Sequence, residues 1–203
     1  AGASCLVLAY FQGLFTFLAL LVMSMMGFSY NINLVPKLMS RVVYRRIRDI
    51  PGSKTLLIAM AWGIVTAVLP SLGVTTSLTG ATVVVFLWSA GLVFVRTAFF
   101  DILDMQGDRI MGKETIPILL GEKRSMRLLK TMLIILTAVM ALAALVGVVR
   151  PQGFFLALCP LVIFAMLRAY EQGNMLPGMR LEFMVESQFV LVGMLGLSGA
   201  FLN

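Results

Sequence analysis

Asp101, Asp104 and Asp108 follow directly on an apolar run of membrane-crossing length, Ala81 to Phe100. Charge at a hydrocarbon boundary is unfavourable unless it is paired or functional. At about 3.6 residues per turn, spacings of three and four residues put all three acids on one helical face, where like charges repel unless a cation stands among them. The surrounding residues, Gly107, Arg109, Gly112, Lys113 and Thr115, mix cations and glycines with the acids. An oxygen-only donor set of this kind suits Mg²⁺, which takes one or two carboxylates and completes its octahedron with water and phosphate oxygens. Asp104 and Asp108 are the expected metal ligands, with Asp101 a further ligand or an acid that orients them. Arg109 and Lys113 are the expected donors to phosphate, and Gly107 and Gly112 permit close backbone approach. The alternative for the whole run is a solvated helix end whose acids pair with Arg109 and Lys113.

The elements that position these residues follow from composition. Of 203 residues, 60% are hydrophobic and 12% charged, with a mean hydropathy of +1.00. This describes an all-α, polytopic transmembrane helical bundle and excludes an ordinary soluble domain. Six segments meet or approach the roughly 20 apolar residues that a helix needs to cross a bilayer. They run from about Leu6 to Phe28, Leu56 to Leu72, Ala81 to Phe100, Leu128 to Val149, Phe154 to Tyr170 and Phe189 to Leu202. The connecting loops carrying charge lie at about 30–54, 101–127 and 171–186. Their Lys and Arg residues, set against the uncharged Ser71 to Gly80 connection, put these loops in the cytoplasm by the positive-inside rule. Only Arg150 falls on the opposite side. The net charge of +7 follows from this asymmetry and would attract anionic headgroups or phosphate; it makes no case for nucleic acid.

The chain has no His, which removes the usual general base and the commonest nitrogen ligand. Cys5 and Cys159 both fall in apolar segments, where a thiol packs as a small apolar side chain. Neither a disulfide framework nor a zinc site is indicated. The first residue is Ala rather than Met, and the chain opens close to a membrane span without a basic leader; the expected reading is a single domain, 1–203, truncated at its N-terminus.

The run DILDMQGDRIMGKETIPILLG resembles the second aspartate-rich motif of the UbiA family of membrane prenyltransferases, in which acid-x-x-acid-x-x-x-acid is followed by Gly112, Lys113, Thr115 and Pro117. The stretch YNINLVPKLMSRVVYRRIRDIPGSKTLLIAMAWG resembles the upstream loop and helix of that family, and EFMVESQFVLVG the start of its last helix. The family fold has nine spans and two aspartate-rich loops; about six spans and the second loop are found here. Its Tyr-x-x-x-Lys signature would begin at Tyr30, but residue 34 is Leu, and Lys37 is the nearest ammonium.

The resemblance implies Mg²⁺-dependent transfer of a prenyl chain from a polyprenyl diphosphate to an aromatic, quinone-precursor-like or other lipid acceptor. It implies Asp101, Asp104 and Asp108 as the catalytic acids, Asp104 and Asp108 foremost at the metal, with Arg109, Lys113, Arg96, Tyr30 and Lys37 towards the diphosphate. The expected setting is a bacterial or archaeal cytoplasmic membrane with the site facing the cytoplasm; no protein partner is indicated. Two other classes compete. A non-catalytic or degenerate membrane subunit would lack the first aspartate-rich motif; a transporter would carry charges near the middle of several spans, whereas here they gather at one end.

Several residues have a plainer reading beside the functional one. Arg96 either reaches the leaving group or snorkels to headgroups. Glu182 and Glu186 share one face where acids complement a helix N-terminus. Tyr30 without the family analogy is an interfacial aromatic, and Trp62 and Trp88 are packing residues. Arg41, Arg45, Arg46 and Arg48 form a basic interfacial face that could steer anionic substrate.

Overall fold

The computed structural model describes residues 2–30, 50–75, 77–175 and 178–201. Lys37, Arg41, Arg45, Arg46 and Arg48 lie outside the described residues. Among the described residues every element is helical: α1 (Gly2–Gln12), α2 (Leu14–Ser29), α3 (Ser53–Gly63), a π-helical turn (Ile64–Val68), α4 (Leu69–Thr75), α5 (Gly80–Leu103), α6 (Met105–Ile110), α7 (Ile116–Leu120), α8 (Glu122–Leu145), α9 (Gly153–Glu171) and α10 (Met179–Phe201). The polytopic helical bundle expected from composition is therefore the observed architecture.

Among the described residues, four helical stretches are long and apolar enough to cross a bilayer: Ser53–Val74, Gly80–Leu103, Glu122–Leu145 and Gly153–Glu171. Two expected spans differ. The segment from Leu6 to Phe28 is not one helix, because Gly13 adopts φ 145°, a conformation that L side chains rarely take. The chain turns there, and α1 packs on α2 with the Tyr10 ring edge-on to Phe17 at 5.8 Å. At the other end, α10 starts well before Phe189 and takes Glu182 and Glu186 into its first turns. Likewise, the stretch read from sequence as the loop 101–127 holds α6, α7 and the start of α8.

The α3–α4 span contains Pro70, which lacks the N–H that would bond four residues back. The backbone accommodates it by widening: the Leu69 N–H donates to the Ile64 carbonyl, five residues back, the pattern of a π-bulge. This span is pinned to α5 along its length. Thr66 Oγ1 lies 3.0 Å from Ser89 Oγ, Ser71 Oγ lies 2.8 Å from Thr82 Oγ1, and Thr79 and Thr82 close a capping box at the start of α5.

The core lies where α5, α8, α9 and the start of α10 meet. Trp88, Leu92, Val95, Phe99 and Ile102 of α5 recur at intervals of three and four, as do Met126, Leu129, Leu133, Leu136 and Met140 of α8, and all are buried. That spacing makes one apolar stripe per helix, and the two stripes interlock. Contact is closest at Gly91, where a Cβ would stand 2.6 Å from Leu136 Cδ2. Without a hydrophobic drive between helices in lipid, such small residues allow the backbones to approach for dispersion contact. The consequence for function is a rigid α5 whose charged end is held in place.

Candidate active site at the end of helix α5

Helix α5 ends at Leu103, and Asp104 takes φ −93°, ψ 9°, the sparsely occupied bridge region, before α6 begins. The break alters the expected single acidic face. Asp101 points towards α3 and accepts a hydrogen bond of 2.8 Å from Thr55 Oγ1. Asp104 is exposed and lines a cavity between α5 and α10. Asp108 is only 4% exposed.

A local motif explains how Asp108 finds its partner. At the end of α6 the Gly112 N–H donates to the Arg109 carbonyl and the Lys113 N–H to the Asp108 carbonyl, with Gly112 at φ 66°. This is the Schellman pattern, which needs a left-handed residue and so selects Gly. It folds the chain back over the helix end and brings Lys113 Nζ to 2.8 Å from Asp108 Oδ1. The hydrogen bond to Asp108, then the charges of Asp108, Asp104 and Asp101, hold the Lys113 ammonium above the usual lysine range. Asp108 is thus the direct partner of Lys113, and Asp104 and Asp101 act on it only at longer range. Asp101 and Asp108 are also close enough to act on each other, and the Lys54 ammonium lies near Asp101.

Among the described residues, no three acids, cysteines or histidines converge closely enough to form a protein-only metal cage. The donor chemistry nevertheless fits Mg²⁺, which needs only one or two carboxylates where phosphate oxygens supply the rest. Asp108 beside the Lys113 ammonium and Asp104 at the cavity offer carboxylates of that kind.

Gly107 packs against Asp104: a Cβ there would stand 2.7 Å from Asp104 Oδ1. Because the obstructing atom ends a short side chain, Gly107→Ala is expected to move the carboxylate and leave the fold intact. Turnover is expected to fall about tenfold, within the roughly 10²-fold cost of misplacing a reacting group by 1 Å. Unchanged turnover with an unchanged melting temperature would show that the Asp104 position is immaterial.

The cavity between α5 and α10 has a volume of about 810 Å³ and is lined by Arg96, Phe100, Leu103, Asp104, Glu182, Phe183 and Glu186 among others. Arg96 is half-buried; its Nε donates to Glu186 Oε1 at 3.0 Å and its Nη2 to the same oxygen. Its guanidinium lies 4.8 Å from the centroid of the Phe100 ring, a cation–π placement. Arg96 is thus engaged across the cavity rather than extended to the bilayer surface. A smaller cavity of about 250 Å³ between α2 and α3 is lined by Tyr30 and Lys54 among apolar residues. Arg109 is exposed on the last turn of α6. Lys37 lies outside the described residues.

The sequence reading did not single out Thr55 or Lys54 as site residues, since both lie some 46 residues upstream of Asp101. Nor did it pair Glu186 with Arg96, 90 residues apart. The only available signal was opposite charge near the same end of two spans.

Among known protein families, the model of the UbiA prenyltransferase family matches residues 1–176, ending just ahead of α10. No curated protein and no solved structure matches the chain.

Proposed function

The chain belongs to the UbiA prenyltransferase family, and from that premise we propose that it transfers a prenyl chain from a polyprenyl diphosphate to an aromatic or other lipid acceptor, with Mg²⁺ as cofactor. The observation that supports this reading is the Asp108–Lys113 pair at the end of α6, with Asp104, one turn earlier, lining a cavity that also has apolar walls. Acids alone would repel a diphosphate; acids with a metal and a mobile cation attract it.

In this reading Asp104 and Asp108, with Asp101 as a further acid, would hold the ion, and when bound it would supply positive charge to the diphosphate leaving group. Lys113 is more than half exposed, with a side-chain exposure of 54%, so its ammonium is free to reach a phosphate oxygen. Arg109 offers a second donor from the same turn. Thr55 fixes the Asp101 carboxylate by its hydrogen bond, and Glu186 fixes the Arg96 guanidinium at the cavity wall. Phe100 and Phe183 present aromatic surface to the electron-poor prenyl carbon. The apolar helices accommodate the rest of the chain. Tyr30 and Lys54 place polar groups at the neighbouring α2–α3 cavity, and Lys37 follows in the same chain segment. The working face is the one bearing the basic loops, hence the cytoplasmic side, and quinone-type lipids are the acceptor class that suits it.

The test is transfer of labelled polyprenyl diphosphate to aromatic acceptors by the protein in lipid bilayers, with Mg²⁺ and with chelator. Transfer is expected with the metal and is expected to disappear with the chelator. Full turnover under chelation would contradict the role given to the acids.

A further inference from the structure

We propose that the groove between the charged ends of α8 and α9 binds the headgroup of a monoanionic phospholipid, of the phosphatidylglycerol class. This groove is a cavity of about 570 Å³, and its polar lining consists of Glu122, Lys123, Arg127, Lys130, Tyr170 and Glu171. It contains none of Asp101, Asp104, Asp108 or Arg96. Lys123, Arg127 and Lys130 are spaced by four and three residues, so they form one cationic strip on the first turns of a membrane-length helix.

The charge balance selects the ligand. Lys130 is engaged by Glu171 at 2.6 Å, and Lys123, Arg127 and Glu122 line the same groove. Three cations against two carboxylates leave one net positive charge, which matches a phosphodiester and would leave a diphosphate uncompensated. The same helical face then turns apolar. Ile134 lies seven residues past Arg127, about 10 Å along the axis at 1.5 Å per residue, and is 54% exposed; Leu145, further along the same strip, is 69% exposed. A phosphate at Arg127 with an acyl chain running down past Ile134 fits a phospholipid; a free anion would have no use for the stripe. Basic pockets between spans at the charged side of a membrane protein bind such headgroups through short-range attraction.

The experiment measures phospholipid retained by the intact protein by native mass spectrometry, offering phosphatidylglycerol and phosphatidylcholine in turn, with inorganic phosphate as competitor. Phosphatidylglycerol is expected to bind about tenfold more tightly, each cation near the surface contributing roughly a fivefold factor. Lys123→Gln combined with Arg127→Gln is expected to abolish that preference, whereas Arg150→Gln, at the opposite end of the bundle, is expected to leave it unchanged. Glu171→Gln frees Lys130 and is expected to strengthen retention severalfold, which keeps a test available if the double variant folds poorly. Equal retention of both lipids, a preference surviving in the double variant, or weaker retention in Glu171→Gln overturns the proposal. Displacement of the lipid by millimolar inorganic phosphate overturns the lipid assignment in favour of a free-anion site.

Discussion

Replacing Asp104 and Asp108 together by alanine is expected to lower prenyl transfer by at least about a thousandfold, with labelled transfer at saturating Mg²⁺ and donor as the measurement. Removing one preorganised group that stabilises developing charge costs about 10²–10³ in kcat, and on the proposed reading two groups that would hold one ion are removed here. The effects should fall short of multiplying, since residues that serve one centre act as a unit. The single variants should differ in stability. Asp104 is exposed, so its loss is expected to leave the melting temperature close to that of the parent. Asp108 is buried against Lys113, so Asp108→Ala should also loosen the turn at the end of α6. Unchanged turnover in the double variant would remove the acids from the mechanism altogether and favour a non-catalytic family member.

Lys113→Met is expected to produce the second large effect, a fall in turnover of about a hundredfold together with a stronger stabilisation by Mg²⁺. The two parts have one cause. In the wild-type chain the ammonium satisfies the buried Asp108 carboxylate at 2.8 Å and competes with any ion for it. Methionine leaves the carboxylate without that partner, so the protein in chelator should melt earlier. Added Mg²⁺ should then raise the melting temperature more than in the parent, since a ligand stabilises in proportion to its affinity for the folded state. The reaction still suffers, because a donor to the leaving group is lost. Full turnover with an unaltered response to the metal would show Lys113 to be a surface lysine that happens to meet an acid. The lysine's part in this contact does not change with pH near neutrality. A lysine held above its ordinary value of about 10.4 contributes its stabilisation in full below that value and loses it only as pH climbs through the raised one.

Asp104 borders the α5–α10 space, while Asp101 is turned towards Thr55 of α3. The break at Asp104 thus points the two acids in different directions.

Much of this was readable along the chain, and for reasons of range. Hydropathy is a local sum, so the bundle and its apolar spans follow from composition and window length. The spacing of Asp101, Asp104 and Asp108 is equally local, as are the glycines of the Gly112 turn, and the resemblance to a prenyltransferase motif rests on about twenty contiguous positions. Where the chain departs from that reading, single backbone conformations decide. Gly13 at φ 145° divides an apolar run that hydropathy alone joins, and Asp104 in the bridge region splits a face that ideal helical geometry would keep together. The partners of the site needed the folded molecule: Thr55 for Asp101, Glu186 for Arg96, Glu171 for Lys130. These pairs bridge 46, 90 and 41 residues. No periodicity encodes such distances, because they are set by which helices pack side by side: α3 against α5, α10 against α5 and α9 against α8.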